Sequence, residues 1–281
     1  MTRNADHAVA RPAVPLRPFI HRYTGYRYSG LVPGTHRGLP APHLAMIIAL
    51  DTPTRVTRMS HPAQRPGEFM GLVGGLHTQP AEIAHDGALA GVQVDLTPAG
   101  ARSLLGFPAG ELCALTVSLE DVLGRDAGEL IGRVNEAPTW TALFGVLDRL
   151  LLQRIGRVPA VEGPVTRAWD LVVLGGGTVP VHEVAQAVGW SRRHLGERFS
   201  TEHGLTLKEA SRVMRFHRSR RLLQRGGSTI ADVAAATGYA DQAHMAREWR
   251  EMAGCSPSTW LGTEELPFIQ DGGRPDVETE G

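Results

Sequence analysis

Two short stretches of the sequence carry arginine, glutamine and histidine side chains at a helical spacing that suits contact with nucleic acid. They lie near residues 191–200 and 241–250. Arginine can donate two hydrogen bonds to the major-groove edge of guanine, and glutamine can make an equivalent pair with adenine. The candidate DNA-contacting residues are Arg192, Arg193, His194, Gly196, Glu197, Gln242, Ala243, His244 and Arg247. These residue types predict recognition of double-stranded DNA.

Four of these side chains have a specific expected contact. Arg193 is placed to reach guanine, whereas Arg192 is better placed for phosphate. Gln242 suits adenine, and Arg247 suits guanine or phosphate. An exposed arginine on a helix is often only a solvated charge, so the DNA contact and the solvated charge both stay open at these positions.

The second stretch lies within the pattern of a helix-turn-helix, Ile230–Trp260. Gly238 follows an apolar helical face and can end that helix, because glycine tolerates positive φ. Asp241 can cap the next helix. Met245 and Trp249, four residues apart, then form its inward face. A helix, a glycine turn and a capped second helix present that second helix to a DNA groove.

The same pattern occurs a second time, earlier in the chain. Gly189 matches Gly238 at an offset of 49, and after the turn the offset becomes 50. At that offset Ser191 matches Asp241, His194 matches His244, Leu195 matches Met245, Phe199 matches Trp249 and Gly204 matches Gly254. The two equivalent histidines are as compatible with a partly buried packing role as with DNA contact. The repeat predicts two helix-turn-helix units in one domain.

A long helical segment, Leu207–Gln224, separates the two units. At about 1.5 Å per residue it spans roughly 27 Å. Neighbouring major-groove faces on one side of B-DNA lie roughly 34 Å apart, so the spacing is compatible with reading two grooves. The segment carries four arginines that spread around the helix, so one or two are expected at phosphates and the others beside acids. They are Arg215, Arg218, Arg220 and Arg221.

The distribution of charge agrees with a nucleic-acid partner although the whole chain has a formal net charge of zero. Residues 190–250 hold 12 Lys and Arg against 6 Asp and Glu, a net of +6. The tail after Leu261 has a net charge of −5. Asymmetry between segments, rather than the total, is the electrostatic mark of nucleic-acid binding.

From about Pro164 to Trp260 the sequence resembles the DNA-binding domain of the AraC/XylS family of bacterial transcription regulators. The resemblance rests on Gly238-Tyr239, Asp241-Gln242, Trp249, Gly254 and Pro257, and on SRRHLGERF at residues 191–199. Met245 and Trp249 stand where the family usually has Phe. Gly196 and Ala243 stand where relatives can carry longer polar base-contacting residues. The resemblance implies a sequence-specific transcription regulator.

The N-terminal half is predicted to be rich in β-structure, as a barrel or a sandwich with added helices. Strand-like segments are Tyr23–Tyr28, Leu44–Leu50, Phe69–Val73 and Val92–Leu96. GLVGGLHTQP and GVQVDLTPAGARSLLG resemble, more weakly, the regulatory domains attached to such DNA-binding domains. That resemblance implies binding of a small-molecule effector or formation of a homodimer. The predicted fold class is α+β, with an all-α C-terminal domain.

The chain divides into five predicted segments. Residues 1–18 are predicted to be a mobile arm, 19–155 a regulatory or dimerisation domain and 156–163 a linker. Residues 164–262 form the predicted DNA-binding domain, and 263–281 an acidic tail. The apolar face of a helix over Thr139–Ile155 suits packing on the β-rich domain, and it also suits contact with a second subunit.

Other kinds of site receive little support. The five histidines of the β-rich half, His36, His43, His61, His77 and His85, do not form a tight metal-binding motif. We predict no metal, no cofactor, no catalytic residue and no enzyme activity; the alternative is a catalytic or metal-binding β domain fused to the DNA-binding module. No apolar run approaches the roughly 20 residues of a membrane span, and no secretory signal is visible. With Cys113 and Cys255 in different predicted domains, we expect no disulfide and a cytoplasmic protein.

Overall fold

The computed structural model describes residues 4–155 and 163–263. The first of these ranges holds two antiparallel sheets and a few helices, and the second is entirely helical. The predicted α+β class is therefore confirmed. The predicted linker, apart from Gly163, and the acidic tail, apart from Thr263, lie outside the described residues.

The strands of the first range form two sheets. They are β1 (Asn4–Ala10), β2 (Ile20–Ser29), β3 (Gly34–Gly38), β4 (Leu44–Ala49), β5 (Thr54–Arg58), β6 (Gly67–Phe69), β7 (Gly71–Gly74), β8 (Ala81–His85), β9 (Leu89–Leu96) and β10 (Thr116–Ser118). The larger sheet has the order β1-β2-β9-β4-β7-β10, and the smaller has the order β3-β8-β5-β6.

Strand β4 explains why its sequence is a continuous apolar run. It lies inside the larger sheet, between β9 and β7. Met46 and Ile48 are fully buried on the face covered by helices. Ile47 points to the opposite face, where it packs with Val56 of the smaller sheet and with Leu72. A strand buried on both faces needs apolar residues at successive positions rather than at alternate ones.

The first residues of the chain differ from the predicted mobile arm. Strand β1 pairs with β2 along its whole length, from Asn4 opposite Ser29 to Ala10 opposite Tyr23. Leu16, in a short 3-10 turn after this strand, is fully buried. An edge strand needs only the free backbone groups of its neighbour, so it forms without a strong apolar pattern. Pro12, Pro15 and Pro18 come after the strand and do not interrupt it.

Helices cover one face of the larger sheet. They are α1 (Pro98–Gly100), α2 (Leu119–Leu123), α3 (Arg125–Asn135) and α4 (Trp140–Leu152), with a π turn at Ala101–Leu105 and a 3-10 turn at Ala109–Leu112. Thr97 and Ser118 cap α1 and α2 with their hydroxyls. On α4, Leu143, Leu147 and Leu151 are buried against the core of this half. The apolar face of α4 therefore packs on the β-rich part of the protein.

The helical part consists of seven helices among residues 163–263. They are α5 (Gly163–Leu174), α6 (Val181–Ala187), α7 (Arg192–His203), α8 (Leu207–Arg225), α9 (Ile230–Ala236), α10 (Gln242–Ala253) and α11 (Pro257–Thr263). Helix α8 has 19 residues and is about 28 Å long. Capping boxes at Thr206 with Glu209, and at Thr229 with Asp232, fix the starts of α8 and α9.

The two halves are in direct contact. Arg102, in the π turn, forms an ion pair with Glu202 near the end of α7. The thiol of Cys113 donates to the carbonyl oxygen of Gly204 over 3.0 Å, and both cysteines are free thiols. In the part of the chain that the structure describes, no helix combines the length and apolar character needed to cross a membrane.

Candidate nucleic-acid interface

The first helix-turn-helix consists of α6 and α7 joined by a glycine turn. Gly189 has φ +73°, in the left-handed region that glycine adopts most easily. The hydroxyl of Ser191 accepts a hydrogen bond from the backbone N–H of His194 over 3.2 Å, so it caps α7 as predicted. Gly204, with φ +73°, ends the helix. Helix α7 is the second helix of this unit, the position of the recognition helix in a helix-turn-helix, and we call it the first recognition helix.

The second helix-turn-helix repeats this construction with α9 and α10. Gly238 has φ +80°, and the carboxylate of Asp241 accepts from the backbone N–H of His244 over 2.6 Å. Gly254, with φ +72°, ends α10. The predicted duplication, including both caps and both turn glycines, is confirmed. Helix α10 holds the equivalent position in this unit, and we call it the second recognition helix.

Buried apolar side chains hold each recognition helix against the domain. Leu195 and Phe199 of α7 are fully buried, as are Met245 and Trp249 of α10. The indole N–H of Trp249 donates to the hydroxyl of Ser219 on α8 over 2.9 Å. Because these four side chains face inward, the opposite side of each helix faces solvent.

The candidate DNA-contacting residues lie on those outer sides. On α7, Arg192, Arg193, His194 and Glu197 are exposed and Gly196 is half-buried; on α10, Gln242, Ala243 and Arg247 are exposed and His244 is half-buried. Arg193 has a partner within its own helix, since its Nε lies 3.0 Å from Oε1 of Glu197. Such an exposed pair contributes at most a few tenths of a kcal/mol, so it can exchange readily for a contact with DNA.

Both candidate histidines pack on the aromatic residue of the preceding turn. The ring centroids of His194 and Trp190 lie 4.5 Å apart, and the rings meet edge to face. The ring of His244 lies 5.4 Å from that of Tyr239, and its Nδ1 accepts from the backbone N–H of Ala240 over 3.3 Å. The equivalence expected from the repeat therefore extends to the packing of these side chains.

The arginines of the spacer helix α8 mostly contact the protein itself. Arg215 donates to the carbonyl of Gly177 over 2.9 Å, and Arg218 contacts the carbonyl of Gly176. Arg220 is fully buried, whereas Arg221 is exposed. Arg221 is thus the only one of these four arginines that is exposed.

Two charged residues of this region were not singled out by sequence. Glu248, on α10, is buried, and its Oε1 lies 3.0 Å from Nε of Arg212 on α8. The same oxygen lies 3.3 Å from Nη2 of Arg215. Arg212 also pairs with Glu251. Glu248 could have been noticed in the sequence as an acid next to the inward-facing Trp249, but no local signal marks Arg212 as its partner.

The β-rich half encloses a cavity between its two sheets, lined by apolar side chains and by a few polar groups. The polar groups include His36, His43, His77 and Gln93. Burial lowers the pKa of His43 and of His77 to about 4, so both imidazoles are neutral near pH 7. Among the described residues, no three His, Cys, Asp or Glu side chains are grouped as a metal site would require.

Comparison with known proteins identifies the helical part. The family described as a helix-turn-helix domain matches residues 184–263, which contain both recognition helices. Residues 184–263 form an AraC-type helix-turn-helix domain. A second family, described as a domain of unknown function (DUF6597), matches residues 8–118, which contain both sheets except for the first residues of β1. The AraC-type domain is thus joined to a different kind of domain.

Individual relatives agree with this assignment. An uncharacterized HTH-type transcriptional regulator of Bacillus subtilis (strain 168), YbfI, is 33% identical over 67 residues. That match covers 24% of this chain and 24% of YbfI, so it concerns only a part of each protein.

The whole fold is similar to that of ToxT from Vibrio cholerae. The structure of ToxT from strain O395 superposes with a TM-score of 0.51 at 12% identity, over 93% of this chain and 98% of ToxT. ToxT from strain SCE256, bound to an unsaturated fatty acid, gives a TM-score of 0.52 at 11% identity, over 86% and 96% of the two chains. The chain therefore shares its overall fold with ToxT over most of the length of both proteins.

Proposed function

We propose that the protein is a sequence-specific DNA-binding transcription regulator whose two recognition helices enter neighbouring major grooves. The observation that carries this proposal is the pair of capped helices, α7 and α10, each with exposed arginine on the side opposite its buried face. Helix α8 separates them by a length close to the repeat between grooves.

The individual contacts follow from side-chain chemistry. Arg193 and Gln242 read guanine and adenine, each through two hydrogen bonds. Arg192 binds phosphate, which adds affinity without sequence information. Arg247 binds guanine or phosphate. Among the described residues the side chains of Arg192 and Arg247 have no hydrogen-bond or ion-pair partner, so neither side chain must break an internal contact to bind.

The other candidate residues have secondary roles in the contact with DNA. His194 and His244 offer a ring nitrogen at the start of each helix. Gly196 and Ala243 allow close approach of the backbone, and Glu197 holds Arg193 until DNA replaces it. We infer that the site read by this domain is asymmetric, because the two helices present different side chains.

Binding to DNA fragments at several salt concentrations tests the proposal. The upstream region of the protein's own gene should bind more tightly than scrambled DNA of equal length, and affinity should fall as salt rises. Arg193→Met should reduce the preference between fragments. Arg192→Met should weaken binding to both fragments. It should also reduce the slope of log affinity against log salt concentration by about the amount that one phosphate contact contributes. Equal affinity for both fragments, with and without effector, would overturn regulation at that site.

We propose further that the β-rich half controls the DNA-binding domain through a small-molecule effector bound between the halves. A pocket there is lined by residues of both: His21, Arg22, His43, Pro98, Trp169, Met214, His217, Arg218 and Arg221. Cationic groups beside an apolar wall suit a ligand with an apolar body and a carboxylate. ToxT from strain SCE256 is described as bound to a ligand of that class, an unsaturated fatty acid.

Oleate and methyl oleate, which lacks the carboxylate, form a matched pair of probes for this pocket. Oleate should raise the unfolding temperature and change affinity for the upstream fragment roughly fivefold or more. Methyl oleate, or oleate with the Arg221→Met variant, should have a smaller effect. No difference between oleate and methyl oleate would reject carboxylate recognition and leave the DNA-binding test unaffected.

A further inference from the structure

Glu248 is an acidic residue buried within the second recognition helix. It directly follows Arg247, a proposed DNA contact, and directly precedes the buried Trp249. Its side chain retains only 10% exposure. A buried carboxylate loses most of its hydration, so its retention requires compensating cations or hydrogen bonds.

Two arginines of the spacer helix supply that compensation. Arg212 and Arg215 reach the same oxygen of Glu248, from two positions almost one turn apart on α8. An ion pair fixes both distance and direction, whereas apolar packing tolerates rotation and sliding. The contact therefore adds a charged, directional restraint on the rotation of α10 about its own axis, beside the hydrogen bond of Trp249 to Ser219.

Arg215 extends the connection to the first unit. Its Nη1 donates to the carbonyl of Gly177, in the loop between α5 and α6. Its guanidinium also lies over the ring of Tyr239, with Cζ 5.7 Å from the ring centroid. One side chain thus contacts the entry to the first helix-turn-helix, the turn of the second and the second recognition helix.

The same carboxylate oxygen approaches a residue on the outer edge of α10. Nε2 of His244 lies 3.6 Å from Oε1 of Glu248. This histidine is one of the proposed DNA-contacting residues. Glu248 thus influences the orientation of the helix and the placement of one imidazole on it.

The first recognition helix lacks this arrangement at the equivalent position. By the repeat, Arg198 matches Glu248, and it is exposed. Helix α7 is held by aromatic packing, with the ring of Phe199 stacked 6.0 Å from that of Trp169. A change in Glu248 should therefore act mainly on the half of the domain that contains α10, because α7 itself makes no contact with Glu248 among the contacts described above.

We propose that Glu248 is a positioning residue that fixes the second recognition helix through Arg212 and Arg215, and so determines specificity at the half of the DNA site read by α10. This inference rests on the proposed DNA-binding function. Glu248 acts through Gln242, His244 and Arg247 and makes no contact with DNA itself.

The Glu248→Gln variant tests the proposal, because it removes the charge and keeps the shape of the side chain. DNA footprints of the Arg193→Ala and Arg247→Ala variants are first compared with that of wild type. The protection lost in each variant identifies the half-site contacted by α7 and by α10, respectively. Each half-site is then scrambled separately, and affinities are measured for both altered fragments. Wild-type protein should discriminate against both. Glu248→Gln should lose roughly tenfold of its discrimination at the second half-site and retain it at the first.

Two further variants keep the test decisive. Arg212→Gln should give a smaller loss at the same half-site, because Arg215 remains, and it replaces Glu248→Gln if that variant does not fold. Glu183→Gln, at an exposed position on α6, makes the same change in charge and should leave both half-sites unaffected. Equal losses at both half-sites, or no loss at either, would overturn the positioning role.

Hydrogen exchange without DNA separates this inference from the proposed function. Amides of α10 should exchange faster in Glu248→Gln than in wild type, while those of α7 stay unchanged. If wild type shows no preferred DNA fragment but α10 alone loosens, the structural role stands and the proposed function fails. If α7 and α10 loosen equally, or neither does, the positioning role is wrong whatever the DNA result.

Discussion

Arg102 and Glu202 form a two-point ion pair between the β-rich half and the first recognition helix. Nε of Arg102 lies 3.0 Å from Oε1 of Glu202, and Nη2 contacts Oε2. The hydrogen bond to Glu202 raises the pKa of Arg102 further above its usual range. Helix α10 has a buried carboxylate too, Glu248, but spacer helix α8 holds that one. The two recognition helices are therefore anchored to different parts of the molecule.

Breaking this pair should destabilise the contact between the halves. In Arg102→Met the carboxylate of Glu202, whose side chain is only 9% exposed, loses its cation. We expect a loss of about 1–3 kcal/mol in the free energy of unfolding, measured by urea denaturation. The effect of oleate on DNA affinity should weaken in the same variant, because the link from the β-rich half to α7 is lost.

The pair formed by Arg133 with Glu129 provides a matched control. It joins two exposed side chains of α3 and lies outside the contact between the halves. Arg133→Met should change the free energy of unfolding by less than about 0.5 kcal/mol. If Arg102→Met cost no more than this control, the ion pair would not contribute to docking of the halves.

Alanine substitutions at the turn glycines of the two helix-turn-helix units should lower the free energy of unfolding by different amounts. Gly189→Ala adds a methyl group to open space, so it should cost only the strain of a left-handed backbone, about 1 kcal/mol. Gly238→Ala meets Cγ2 of Thr178 at 2.6 Å in addition and should cost at least about 1 kcal/mol more. Urea denaturation of both variants checks the order; equal costs would mean that Thr178 moves aside freely.

The caps of the recognition helices should each contribute measurably. Asp241→Ala leaves the backbone N–H of His244 without its acceptor and should cost about 1 kcal/mol, whereas Asp241→Ser keeps a capping oxygen and should cost little. Ser191→Ala should have a similar cost at α7. Thermal unfolding measures these differences. Equal losses in Asp241→Ala and Asp241→Ser would show that the cap does not stabilise α10.

Sequence predicted the two helix-turn-helix units well because their signals are local. A capping side chain acts on a backbone N–H three residues away, and a turn glycine acts at its own position. Ser191, Asp241, Gly189 and Gly238 could therefore be assigned without knowledge of the rest of the fold. The continuous apolar run of β4 was equally informative, because a strand covered on both faces leaves no position for polar residues.

Sequence did not predict the contacts that join distant segments. Arg212 and Glu248 are 36 residues apart, and Arg102 and Glu202 are 100 apart. Nothing near Glu248 in sequence reveals that spacer-helix arginines will cover it. Strand β1 was missed for a related reason, since its pairing depends on the backbone of β2 and only weakly on its own side chains. These ion pairs and this strand depend on residues that are distant in sequence, and local sequence patterns carry no information about such contacts.

Buried histidines should make the fold less stable in acid. His203, at the end of α7, packs 4.5 Å from the ring of Trp169 and 4.4 Å from that of Phe199, and burial lowers its pKa to about 3. In the unfolded chain the pKa is near 6.5, so below that pH only the unfolded state takes up the proton. Stability is therefore lost as pH falls from about 6.5 towards 3.

The His203→Phe variant isolates this contribution, because it keeps an aromatic ring and removes the titrating group. The free energy of unfolding falls between pH 7 and pH 5, and this fall should be about 2 kcal/mol smaller in His203→Phe than in wild type. The remaining dependence comes from other buried histidines, including His43 and His217, whose pKa values burial also lowers. His182→Phe, at an exposed position on α6, is the surface control and should behave as wild type. An unchanged pH dependence in His203→Phe would mean that this imidazole gains its proton without penalty in the folded protein.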